Sequence, residues 1–168
     1  MRIDFQGIKK CAFLNGRLFN IWNYSEFGWG YYTQNAEQAE SFGFKKEDCF
    51  EESKTYFLPI KDIAHTRGFY SYVGCKYKGY KCFVHSYGKN EKKFCVAIPE
   101  DLALTMGIDG YRWGHETPSM DVPLSDLDEI FRSRKKLGDF IFDVDSIKPI
   151  YKDGKWLIEP DENGVYVI

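Results

Sequence analysis

No segment of this sequence is apolar for long enough to cross a membrane as a helix, and residues 1–10 (MRIDFQGIKK) lack the hydrophobic core of an export signal. The expectation is a cytoplasmic chain with no membrane partner. A charge excess of one sign is missing too: 23 basic and 25 acidic side chains leave a formal net charge of −2. That argues against a chain built mainly to coat nucleic acid or an anionic surface. Also missing are compact catalytic signatures: there is no Gly-x-Ser-x-Gly elbow, no phosphate-cradling glycine loop and no His-Glu-x-x-His helix. Cysteines stand at 11, 49, 75, 82 and 95, an odd number that cannot pair completely within the chain. With no export signal, reduced thiols are the expected state.

What is abundant is aromatic: 18% of the 168 residues are Phe, Tyr or Trp, within an apolar share of 43%. Such residues suit pleated, half-buried surfaces and protein contact patches alike. The length fits a single domain over residues 1–168. The strongest local signals are turns between alternating segments. Asn15-Gly16 joins 8–14 to 17–22, because Asn-Gly supplies the two positive-φ positions of a type I′ turn. A second hairpin is expected from 79–87 and 92–98, and a third from 139–151 and 155–159 around Asp153-Gly154. Asn163-Gly164 would then return the chain into 165–168.

Segments beginning at Gly7, Gly79 and Gly138 each run into an apolar strand, and 58–63 (LPIKDI) matches 122–127 (VPLSDL). This fits a degenerate hairpin repeat over 1–63, 64–127 and 128–168, or a chance likeness of short strands. Helices are expected to be few and short: 36–42 capped by Asn35 and stopped by Gly43, a turn from Pro99 to Met106, and 126–137. The last has Ser125-x-x-Asp128 as a capping box, an apolar set of Leu127, Ile130, Phe131 and Leu137, and a cationic end. The fold class read from this is α+β, mainly antiparallel β, with a few short helices.

Charge is segregated along the chain. Between Tyr72 and Cys95 there are six lysines (76, 78, 81, 89, 92, 93) and one acid; between Pro99 and Ile130 there are eight acids and one base, Arg112. The order implies a dipolar surface. Within the acidic stretch, 110–118 (GYRWGHETP) gathers Tyr111, Arg112 and Trp113, the residue types of protein hot spots. The alternative is a connector whose Trp113 folds back onto the core. The partner-binding candidates are therefore Tyr111, Arg112, Trp113, Glu116, Asp121, Asp126, Asp128 and Glu129.

Other chemistries are weaker. Cys75, Cys82, His85 and Cys95 lack the two-to-four-residue ligand pairing of zinc sites, and strand alternation points Cys82 and His85 to opposite faces. No metal and no cofactor are expected. A nucleophilic cysteine needs a helix N-terminus or a cationic neighbour, and Cys82 has only Lys81 beside it, so a cysteine hydrolase ranks third. The lysine-rich hairpin 76–93, with Tyr77, Tyr80 and Tyr87, is the basis of the second reading, a general interaction or nucleic-acid-binding module. Lysines on an edge strand more commonly guard against aggregation.

Residues 77–84 (YKGYKCFV), 122–130 (VPLSDLDEI) and 150–158 (IYKDGKWLI) together resemble strand and connector motifs of immunity proteins of bacterial polymorphic secreted toxin systems. The resemblance spans 57–158 and concerns strand architecture, so no binding residue carries over by position. It implies a non-enzymatic inhibitor that neutralises a cognate toxin domain by direct binding. A basic, nuclease-like toxin would meet an acidic, aromatic patch with complementary charge.

Overall fold

The structure is a computed structural model and describes residues 2–5, 9–46, 55–108 and 117–160. Its fold is α+β and mainly antiparallel: thirteen strands and two short α-helices are present among those residues. The chain divides into two compact units. The described part of the first is 2–5, 72–108, 117–134 and 145–160; that of the second is 9–46, 55–71 and 135–144.

The second unit starts with β2 (Lys9–Leu14), which pairs with β3 (Arg17–Tyr24) through a turn with Asn15 at φ 49° and Gly16 at φ 78°. These angles make the type I′ hairpin that the sequence predicts. From β3 the antiparallel order continues through β4 (Gly28–Thr33) and β6 (Tyr56–Pro59) to β5 (Lys45–Lys46). Helix α1 (Ala36–Phe42) sits where its caps require it. The Asn35 side chain accepts a hydrogen bond from the Gln38 amide at 3.0 Å, and Gly43 at φ 74° lets the Phe44 amide donate to Ala39 at 2.9 Å. Ala12, Phe19, Ile21, Tyr31, Ala39, Phe44, Leu137 and Phe140 form the core of this unit. On β4, Gly30 is roofed by the Phe57 ring; a Cβ there would lie 2.0 Å from Phe57 Cε2.

The first unit is built on β8 (Tyr80–Gly88), flanked by the β7 strand (Gly68–Tyr77, whose last six residues belong here) and β9 (Lys93–Ala97). Strand β1 (Arg2–Asp4) also pairs with β8, and β10 (Ser119–Pro123) closes against β9 as an edge. Helix α2 (Glu100–Thr105) follows Pro99, as the sequence predicts, and buries Leu102 and Ala103. β12 (Ile147–Lys152) turns at Asp153 (φ 50°) and Gly154 (φ 77°) into β13 (Lys155–Trp156), so the Asp-Gly hairpin is present. Its first leg is shorter than expected, since 139–146 contains only an isolated bridge at Ile141. The return at Asn163-Gly164 lies outside the described residues.

One expected helix is a strand. A 3-10 turn covers Leu124–Asp126, and β11 then runs over Leu127–Lys136, paired with β12 and β7. The physical reason is burial on both sides of the strand. Leu127, Ile130, Phe131, Ser133 and Arg134 are all buried, so the period of two disappears and the apolar residues fall at helical spacing. The capping-box resemblance is also superseded: the Ser125 hydroxyl donates to the neighbouring Asp126 carboxylate at 3.0 Å.

A bulge shapes β8. Val84 faces Val96 and Ser86 faces Cys95, which leaves His85 as the extra residue. Before it Cys82 and Val84 point inward; after it Tyr87 does, stacked on Phe94 with centroids 4.3 Å apart. Simple alternation would have turned Tyr87 to the other face.

Candidate functional site

Four of the eight candidate partner-binding residues can be placed; Tyr111, Arg112, Trp113 and Glu116 lie outside the described residues. Asp121 is exposed on the edge strand β10, opposite Cys95 of β9. Asp126 is exposed in the 3-10 turn, one residue before β11 begins. Asp128 and Glu129 follow on β11, the first exposed and the second half-buried. All four belong to the first unit. Strand register fixes Asp121, Asp128 and Glu129 more firmly than a loop would, which suits a recognition surface.

The structure brings together two charges that the sequence separates. Lys76 of β7 reaches Glu129 of β11, with Nζ 2.7 Å from the carboxylate. The hydrogen bond to Glu129 holds the Lys76 ammonium above its ordinary range, and the charges of Glu129 and Asp128 add to it. One member of the basic stretch therefore neutralises part of the acidic stretch. The sequence signal was available only through pairing: β7 and β11 must be neighbours before residues 53 positions apart can meet. The pair is exposed on the lysine side, so it contributes little to stability. Its effect is to leave Asp126 and Asp128 as exposed acids beside an ion pair.

The remaining lysines do not form one stripe. Lys78 lies in the β7–β8 turn and Lys81 just after it, whereas Lys89, Lys92 and Lys93 surround the β8–β9 turn. These turns are at opposite ends of β8, roughly 25 Å apart at about 3.3 Å per residue. Tyr77 and Tyr87 are core residues, so neither offers an open stacking face of the kind used for single strands. The β7–β8 turn itself was not anticipated. Lys78 adopts φ 51° before Gly79 at φ 80°, a type I′ geometry in which lysine gives no local sequence cue.

Cys75 and Cys82 face each other across β7 and β8, buried in the core of the first unit. The hydrogen bond to the neighbouring Cys82 sulfur, with burial behind it, pushes the Cys75 thiol far up. His85 lies on the other side of β8, its ring 5.4 Å from Phe83. Among the described residues no three His, Cys, Asp or Glu side chains are grouped as metal ligands. No helix among them is long and apolar enough to cross a membrane. Comparison of the chain with family models, with curated proteins and with solved structures gave no match.

Proposed function

We propose that this chain is a protein-binding inhibitor: an immunity protein that acts in the bacterial cytoplasm and neutralises a cognate toxin domain by direct contact, with no catalysis of its own. The observation that carries this reading is the arrangement of charge in the first unit. Asp121, Asp126 and Asp128 stay exposed on or beside register-fixed strands, while the lysines are divided between the two ends of β8. Such acids suit the capture of a basic, nuclease-like domain, because complementary charge speeds encounter and selects the partner. The sequence adds Tyr111, Arg112, Trp113 and Glu116 as further candidates for partner binding. A nucleic-acid module ranks second, since it needs the lysines of 76–93 along one continuous groove.

The test is charge reversal. Asp126→Lys with Asp128→Lys should weaken binding to the cognate toxin domain at least about tenfold, mostly through slower association at low salt. Thermal stability should stay within about 0.5 kcal/mol, as exposed charge changes usually do. Unchanged toxin affinity, together with loss of oligonucleotide binding on neutralising Lys89 and Lys92, would favour the nucleic-acid module instead.

A further inference from the structure

The inward turn of Tyr87 helps to make a pocket in the first unit that the protein-binding reading does not use. Its volume is about 290 Å3, and it is lined by Tyr87, Lys89, Lys92, Leu124, Trp156, Glu159 and Pro160. This lies near the lower end of the range of about 300–1,000 Å3 typical of small-molecule sites. Rings make one wall. Tyr87 and Trp156 have centroids 5.8 Å apart and are backed by Phe94, stacked on Tyr87, and by Tyr151, 5.2 Å from Trp156.

The polar groups come from two anchored segments. Lys89 and Lys92 belong to the β8–β9 turn, and the Lys92 carbonyl accepts a hydrogen bond from the Leu124 amide at 2.9 Å. The segment after Trp156 is tied back by the Leu157 and Ile158 amides, which both donate to the Ile150 carbonyl at 2.8 and 3.1 Å. Both sides are thus held by backbone bonds. Burial, with the charge of Glu159 behind it, pushes the Tyr87 hydroxyl above its ordinary range, so it remains a proton donor.

We propose that this pocket binds a small molecule made of a flat heteroaromatic ring carrying a phosphate: a mononucleotide, either free or as the terminal residue of a strand. Two ammonium groups suit a phosphate, which accepts charge-assisted hydrogen bonds. The Trp156 indole, only partly buried beside Tyr87, suits the ring. The Glu159 carboxylate, which when ionised accepts hydrogen bonds and donates none, suits the N–H edge of a base. The volume admits one such unit rather than a stretch of polymer.

Titration calorimetry on the full chain with the 5′-monophosphates of adenosine, guanosine, cytidine and uridine tests this. At least one should bind with a sub-millimolar Kd, with inorganic phosphate and the matching nucleoside each more than about tenfold weaker. Lys89→Ala with Lys92→Ala should weaken it about a hundredfold, since each lysine supplies a charge-assisted contact. Both lysines are exposed, so the melting temperature should not move. A 5′-phosphorylated oligonucleotide that binds equally well identifies a strand terminus as the source; a mononucleotide that binds alone identifies the free compound. The proposal is overturned if no nucleotide binds with a Kd below about 1 mM, if phosphate or the nucleoside alone binds as tightly, or if the double lysine variant binds like the parent. Toxin binding is measured separately, so failure here leaves the inhibitor reading untouched.

Discussion

Among the described residues, more cations rest on aromatic rings in the second unit than in the first. In the second, Lys10 lies over Trp22 and Trp29, 5.1 and 5.5 Å from the ring centroids, and Arg17 lies over Phe42. Arg67 stands over Phe13 and pairs with Asp143 at 3.0 Å. In the first, Lys76 pairs with Glu129 and Lys78 lies 5.4 Å over Tyr77, while Lys81, Lys89, Lys92 and Lys93 are exposed. The cores differ in the same sense. Phenylalanine and tyrosine supply half of the second unit's buried set, whereas the first mixes Val, Ile, Leu and Cys around a chain of stacked rings. Charge engaged by rings holds a scaffold together; charge left exposed is available to a ligand. On the proposed function the second unit is the scaffold and the first the part that meets the partner.

Substitutions can break or sharpen this contrast. The largest effect is expected from Phe94→Ala in the first unit. Phe94 is fully buried and contacts Phe5, Tyr87 and Trp156, so the cavity should cost about 3–5 kcal/mol in denaturant unfolding. Next comes Gly30→Ala in the second unit. Its added methyl meets the Phe57 ring, which has almost no exposed surface and is enclosed by Tyr24 and Phe27. Overpacking of this kind should cost about 1–3 kcal/mol. The penalty should vanish in a Phe57→Ala background, a coupling that a double-mutant cycle reads directly.

Smaller again is Asn35→Ala, which removes the cap of α1 and should cost about 1 kcal/mol, with a matching loss of hydrogen-exchange protection at Gln38. The smallest effect is local. His65 Nδ1 lies 2.8 Å from Asp62, and that contact holds the Asp62 carboxyl below its usual range. A depressed carboxylate stabilises above its unfolded pKa and loses that contribution as pH falls through the folded one. Both side chains are exposed, so the effect on unfolding is screened away. A carbon-detected NMR titration should nevertheless show Asp62 titrating low, and His65→Ala should return it upward.

Elements governed by their own turn or cap residues were legible in the sequence. Asn15-Gly16, Asp153-Gly154, Asn35 and Gly43 all act locally, and each does what its residue type allows. What escaped depends on neighbours distant in the chain. β11 resembles a helix because both its faces are covered, and coverage is decided by tertiary packing. Tyr87 turns inward because a bulge at His85 shifts the phase of β8, and no single residue marks that bulge. The acidic candidates were legible as a charge excess, but the partnership of Glu129 with Lys76 required the pairing of β7 and β11. The pocket was least legible, since its lining is drawn from three stretches between Tyr87 and Pro160.

The central claim is that the first unit's acids meet a protein. Its most direct measurement is stopped-flow association with the cognate toxin domain, for the parent chain and for Asp126→Lys with Asp128→Lys, across a salt series. The expected result is fast association that slows with salt in the parent and is at least about tenfold slower, with a flatter salt dependence, in the variant. Equal rates and equal salt slopes in both proteins, or no association at all, would contradict it.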